Sequence, residues 1–193
     1  MTVLILGLLL FLGAHSVRIV ADGWRGVQLA RLGEQRWKGL YSLISLLGLG
    51  LIIWGYGLAR QQPQLLWTPP MGWRHASGLL MLLSLILLAA ANVPRNRIKT
   101  LVHHPMLLGT QLWAVAHLLA NGNVADVVLF GSFLVWSLAD LRAAMRRDRA
   151  AGVAYQGGTV TGTLVAIGAG VALWLLLAFW LHGVLFGVQP FAY

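Results

Sequence analysis

Polar and apolar positions along this chain alternate on the scale of whole helices. Apolar runs at 2–20, 39–58, 75–93, 105–120, 124–141 and 160–187 are separated by short stretches where Arg, Lys, Asn, Gln and Pro gather. A helix needs about 17–25 apolar residues to cross the hydrocarbon of a bilayer, so these runs predict about six membrane spans. The fourth and fifth are short and are joined only by ANGNVAD, which predicts a tight helical hairpin turning at Asn121-Gly122. Whether that hairpin crosses or re-enters, the number of crossings stays even and both chain ends fall on one side. The expected fold is an all-α polytopic transmembrane bundle, a single domain over residues 1–193, without repeats or a low-complexity tail.

Composition narrows this further. Of the residues, 59% are hydrophobic and 10% charged, and the mean hydropathy is +0.77, which excludes a soluble domain and makes the lipid bilayer the first partner. The net charge of +9 does not point to nucleic acid, because the basic residues lie between apolar runs and form no single face or tail. They carry topology instead. Arg18, Arg25, Arg31, Arg36 and Lys38 fill the first connection, Arg95, Arg97 and Lys99 the third, and Arg142, Arg146, Arg147 and Arg149 the fifth. The second holds only Arg60 and Arg74, so twelve of the 14 cations place three loops in the cytoplasm and both termini outside. Trp67, Trp73 and the segment Phe191–Tyr193 are expected at the outer interface, and Trp24 and Trp37 at the inner one. Gly158 with Gly162, and Gly183 with Gly187, are spaced for close helix approach. The N-terminal run lacks the basic flank and cleavage site of a signal peptide, and is expected to be retained.

With no cysteine, disulfides, thiolate metal sites and thiol nucleophiles are excluded, so the chemistry to be explained lies in polar groups inside apolar runs. Asp140 and Asn92 sit near cytoplasmic helix ends, within reach of Arg142, Arg95 and Arg97 or of water. His75 adjoins Arg74 at the outer interface, His103 continues a basic loop, and Gln111 is embedded in the fourth run. His104 precedes Pro105, which suits a helix start. His15 and His117 are different. His15 follows the run VLILGLLLFLGA with Phe11 and Arg18 on its helical face, and His117 has Trp113 one turn before it. An unpaired buried imidazole costs about 1–3 kcal/mol, so each ring needs a partner. The residues leave three readings open: hydrogen bonds between helices, ligation of a metal or haem, or a proton path. Haem suits the inventory better than a bare divalent ion, since the spans offer almost no carboxylate and no thiolate to neutralise charge. In that reading Arg18 is placed to pair with a propionate. The two rings should differ in depth by on the order of 10 Å, which leaves His182, near the outer end of the last run, as a reserve ligand to His117.

FLGAHSVR in the first run, with HHPMLLG and WAVAHLLANG in the fourth, resembles the landmarks of the NnrU membrane proteins, whose plant relatives are the 15-cis-zeta-carotene isomerases. The His-Pro-x-x-x-Gly and Trp-x-x-Ala-His elements stand thirteen residues apart from histidine to histidine, and the likeness runs from His15 to at least Asp140. It implies a multi-pass protein of the bacterial inner membrane, associated with nitric oxide metabolism and denitrification. The plant enzymes isomerise a carotenoid double bond with haem b held by axial histidines. By resemblance those ligands correspond to His15 and His117, with Arg18 and Trp113 beside the cofactor. Where the plant proteins have a Cys three residues before the second His, this chain has Ala114, so a thiolate–imidazole switch is absent. HPMLLG also resembles a segment of membrane isoprenylcysteine methyltransferases, but their later Arg- and Glu-rich motif has no counterpart here, since Glu34 is the sole Glu. Three classes of function follow: a haem-bearing accessory of nitrogen-oxide metabolism that handles a small gas or electrons, a haem-dependent cis–trans isomerase of a polyene lipid, or a cofactor-free scaffold.

Overall fold

A computed structural model of the chain describes residues 1–70 and 72–191; of the outer aromatic segment, Ala192 and Tyr193 lie outside the described residues. The helices are α1 (Thr2–Val20), α2 (Asp22–Leu32), α3 (Glu34–Arg60), α4 (Trp73–Asn92), α5 (Arg97–Val102), α6 (Pro105–Ala120), α7 (Val124–Ala150), α8 (Val160–Leu176) and α9 (His182–Phe186). A π turn, Leu177–Leu181, carries α8 into α9, so 160–186 runs as one rod. Among the described residues there is no strand; five helices are long and apolar enough to cross a membrane, and α6 is a shorter apolar helix.

The two ends of the bundle are chemically distinct. At one end the basic connections meet: Arg147 Nη1 donates to Arg18 O at 3.2 Å, Thr159 N to Arg95 O at 2.7 Å, and Thr100 Oγ1 to Gln156 O at 2.8 Å. At the other, residues 64–67 cover the turn between α6 and α7, with Leu66 N donating to Gly122 O and Val124 N to Gln64 O, while Arg60 Nη1 donates to Phe186 O. This α6–α7 turn has no room for a side chain, because a Cβ on Gly122 would stand 1.8 Å from Trp67 O. The helix α6 starts beside the basic loops and ends under residues 64–67, so the hairpin passes from one end of the bundle to the other and does not re-enter. Counting α6 with the five longer helices gives about six spans.

The residues 22–32 join the basic end as a helix, where the polar pattern predicts only a connection. It buries none of its residues, and Trp24 meets Trp37 edge-on at 5.9 Å. One-residue joints at Ala21 and Gly33 turn the chain out of α1 and into α3. Helix packing relies on glycine, at the predicted Gly158 and Gly162 pair and also at positions the spacing did not single out. Where α1 meets α3, a Cβ on Gly7 would lie 2.6 Å from Ile52 N, and one on Gly55 2.3 Å from Leu4 N. Backbones this close are what small residues permit in a bilayer, where packing replaces the hydrophobic effect as the force between helices. Gly158 and Gly162 pack on the backbone of residues 94–97 as their spacing predicts, whereas Gly183 and Gly187 approach no backbone, and Gly187 takes a left-handed conformation that ends α9. The core under residues 64–67 joins Leu4, Leu8, Ile52, Ala114, Ala125, Leu129 and Phe130 from α1, α3, α6 and α7.

Candidate functional site

Both intramembrane histidines are oriented by their own helices. His15 Nδ1 lies 2.7 Å from Phe11 O, and His117 Nδ1 lies 2.8 Å from Trp113 O. A carbonyl only accepts, so in each ring Nδ1 carries the hydrogen and Nε2 is the nitrogen left with a lone pair. Histidine ligands are commonly fixed in this way, with the second nitrogen donating to a backbone carbonyl.

The surroundings of the two rings differ. His15 stacks on Phe11 at 4.2 Å and is flanked by Tyr41 of α3 and Trp136 of α7. Arg18, one turn further along α1, is exposed at the basic end. His117 stacks on Phe130 of α7 at 4.5 Å, with Trp113 at 5.2 Å. A row of rings separates the two sites: Phe11 meets Phe133 at 5.8 Å, and Phe133 meets Trp113 at 5.4 Å. His15 is not among the residues that line a described cavity with His117. The structure brings His117 to His182.

Those two residues line a cavity of about 300 Å³ at the end of the bundle with few basic residues, between α4, α6 and the rod 160–186. Its walls are mostly apolar, with Met81, Leu85, Trp174 and Phe191, and its polar lining is Arg74, Ser77, Asn121 and Gln189 beside the two histidines. Among the described residues, none on the lining is acidic. Ser77 is 6% exposed and its hydroxyl has no hydrogen-bond partner. His182 Nδ1 lies 2.7 Å from Val188 O, so its Nε2 too carries the lone pair. Among the described residues no three His, Asp or Glu gather as they would around a bare metal ion. Haem asks for less: one or two imidazole nitrogens and an apolar slot. The donors on this cavity fit that demand. Among the described residues Arg74 is the arginine on its wall.

Other polar groups have structural partners. Asn92 Nδ2 donates to Leu88 O of its own helix, Gln111 Nε2 to Ser137 O across to α7, and Asp140 pairs with Arg147 at 3.4 Å in place of Arg142. His104 is the N-cap of α6, with Pro105 in the first turn as the sequence predicts. Its Nε2 approaches Asp148 Oδ2 at 2.9 Å without hydrogen-bond alignment, Tyr155 donates to the same oxygen, and His103 stacks on Tyr155 at 3.9 Å. This cluster fastens the 151–159 loop to the start of α6.

One buried carboxylate escapes the sequence reading. Asp126, 3% exposed, accepts from Tyr56 Oη at 2.5 Å and from Asn123 N at 3.0 Å, closing a capping box at the start of α7. The signal was present as Asn123-x-x-Asp126, inside a stretch that reads first as a turn.

Compared with known families, residues 3–190 match the family model described as NnrU protein. Comparison with curated proteins and with solved structures found no match.

Proposed function

The chain belongs to the NnrU protein family, and from that premise we propose that it is a haem b protein of the bacterial inner membrane, linked to nitrogen-oxide metabolism. The observation that carries this reading is the pair His117 and His182 on one apolar cavity, each with Nδ1 held by a carbonyl and Nε2 left as donor. Haem, when bound, supplies an iron whose ligand exchange or one-electron chemistry the protein tunes through its axial ligands and the polarity around them. The chain's own contributions are positional. The Trp113 carbonyl fixes the tautomer of His117, and Phe130 holds its ring plane. Met81, Leu85 and Trp174 exclude water from the slot, and Arg74 provides positive charge for a propionate.

Purification in detergent followed by a pyridine haemochrome assay tests this. A Soret band that persists in His15→Ala and is lost in His117→Ala is expected; absence of haem from the wild type would sink the proposal and leave the scaffold reading. A second reading, cis–trans isomerisation of a polyene lipid, is favoured by the long apolar wall from Leu85 to Phe191. Its test is the isomer ratio of a cis-polyene after incubation with haem-loaded protein, and an unchanged ratio removes it.

A further inference from the structure

The helix α2 is more chain than a connection needs. Antiparallel helices are joined by as few as about two to five residues, and α1 and α3 are such a pair: Leu4 faces Gly55, Gly7 faces Ile52 and Phe11 faces Gly48. Continued to the end of α1, that register sets Val20 level with Gly39, so residues 34–38 stand beyond the last turn of α1. The 11 residues of α2 lie beside them, entered at Ala21 and left at Gly33, whose φ is 78°, with Trp24 edge-on to Trp37. A helix this short is marginal in water and takes its stability from what its apolar groups pack on. None of its residues is buried in the protein. Trp24, Val27 and Arg31 share one face, at spacings of three and four, and all three are exposed. Because α2 links two spanning helices, the surface open to that face is the edge of the bilayer, where interfacial helices set Trp and aliphatic groups toward the acyl chains and cations toward the headgroups.

Charge selects the lipid. The segment 18–38 carries Arg18, Arg25, Arg31, Arg36 and Lys38 against Asp22 and Glu34. Both carboxylates are taken, Asp22 by Arg25 at 3.8 Å and Glu34 by Lys38 at 2.6 Å. In the other basic connections Arg97, Lys99, Arg147 and Arg149 each donate to a protein oxygen. Arg31 and Arg36 are exposed and, among the described residues, have no such acceptor. We propose that α2 and the first turn of α3 form a docking surface for an anionic phospholipid, with Trp24 and Val27 against the glycerol and upper acyl chain and Arg31 and Arg36 on the phosphate. A guanidinium meets phosphate oxygens through two parallel N–H bonds. A zwitterionic headgroup brings its own cation to the same place, so the surface prefers a lipid with net negative charge. None of these residues lines the cavity of His117 and His182, and the docking surface is independent of haem.

Native mass spectrometry of the full-length protein in detergent, with dioleoylphosphatidylglycerol or dioleoylphosphatidylcholine added, provides the test. The wild type should hold the anionic lipid about tenfold more tightly than the zwitterionic one. Arg31→Gln combined with Arg36→Gln should lose that preference at an unchanged unfolding midpoint. Arg142→Gln combined with Arg146→Gln, which takes the same charge from exposed positions on α7, should keep it. Equal retention of the two lipids by the wild type, or an equal loss in the α7 control, overturns the assignment. So does displacement of the lipid by millimolar inorganic phosphate, which would make this a site for a free anion. The chain has no cysteine, so a nitroxide on Val27→Cys reports the depth of α2 in phosphatidylglycerol vesicles. It should collide with oxygen more often than with a water-soluble nickel chelate; the reverse order would leave this face in water and overturn the docking.

Discussion

Asp126 shows how a single residue can matter for both packing and local structure. Its carboxylate accepts from Tyr56 and from the Asn123 backbone, so Asp126→Ala leaves a buried phenol without an acceptor and uncaps α7. Either loss costs about 1–3 kcal/mol. The midpoint of thermal unfolding in detergent should fall, and fall less in Asp126→Asn; an unchanged midpoint in the alanine variant would show the pair to be dispensable. Tyr155 makes a prediction outside the bilayer. Its hydrogen bond to Asp148, with some burial, pushes its ionisation from 10.0 up to about 12. The fold favours the neutral phenol, so its contribution to docking the 151–159 loop is complete below pH 10.0 and is lost as pH rises through about 12. A difference titration of ultraviolet absorbance between wild type and Tyr155→Phe should show this late midpoint, and a midpoint near 10.0 would mean the bond to Asp148 is not kept in solution.

Among the elements, the spanning helices were legible because each is an apolar run with cations at one end or both, and that pattern survives any packing arrangement. The helix α2 was not, because its residues DGWRGVQLARL mix glycine, cations and apolar groups as a connecting loop would. The close pairing of α1 with α3 was also hidden, since which of the 23 glycines meets a backbone depends on the crossing point. That pairing yields a sharp test. Gly55→Leu places side-chain atoms on the Leu4 backbone and should destabilise the protein by about 1–3 kcal/mol or more, read as a lower unfolding temperature. Gly57, with nothing within 4 Å of its built Cβ, is the control and should tolerate leucine. For the candidate site, His15 and His117 were visible as imidazoles without a local partner. Their ring neighbours were not visible, because Phe130, Phe133 and Trp136 arrive from α7 at separations that no local period encodes. His182 could be linked to His117 by depth alone; the cavity that joins them is a tertiary product.

Taken as a whole, the molecule has a basic end and an end nearly free of cations, and their arrangement follows the loop charges read from the chain. The absence of native cysteine allows a direct check of orientation. A single Gln62→Cys should react with a membrane-impermeant thiol reagent in right-side-out vesicles, and Gln156→Cys only after permeabilisation; the reverse pattern would turn the molecule over. The row Phe11, Phe133 and Trp113 between the two histidines has a consequence at this scale. Phe11 and Phe133 offer neither a donor nor an acceptor, so no side-chain hydrogen bond passes along the row. A ligand in the cavity of His117 and His182 therefore meets hydrocarbon along this row, and its hydrogen-bonding partners must come from the cavity's own wall.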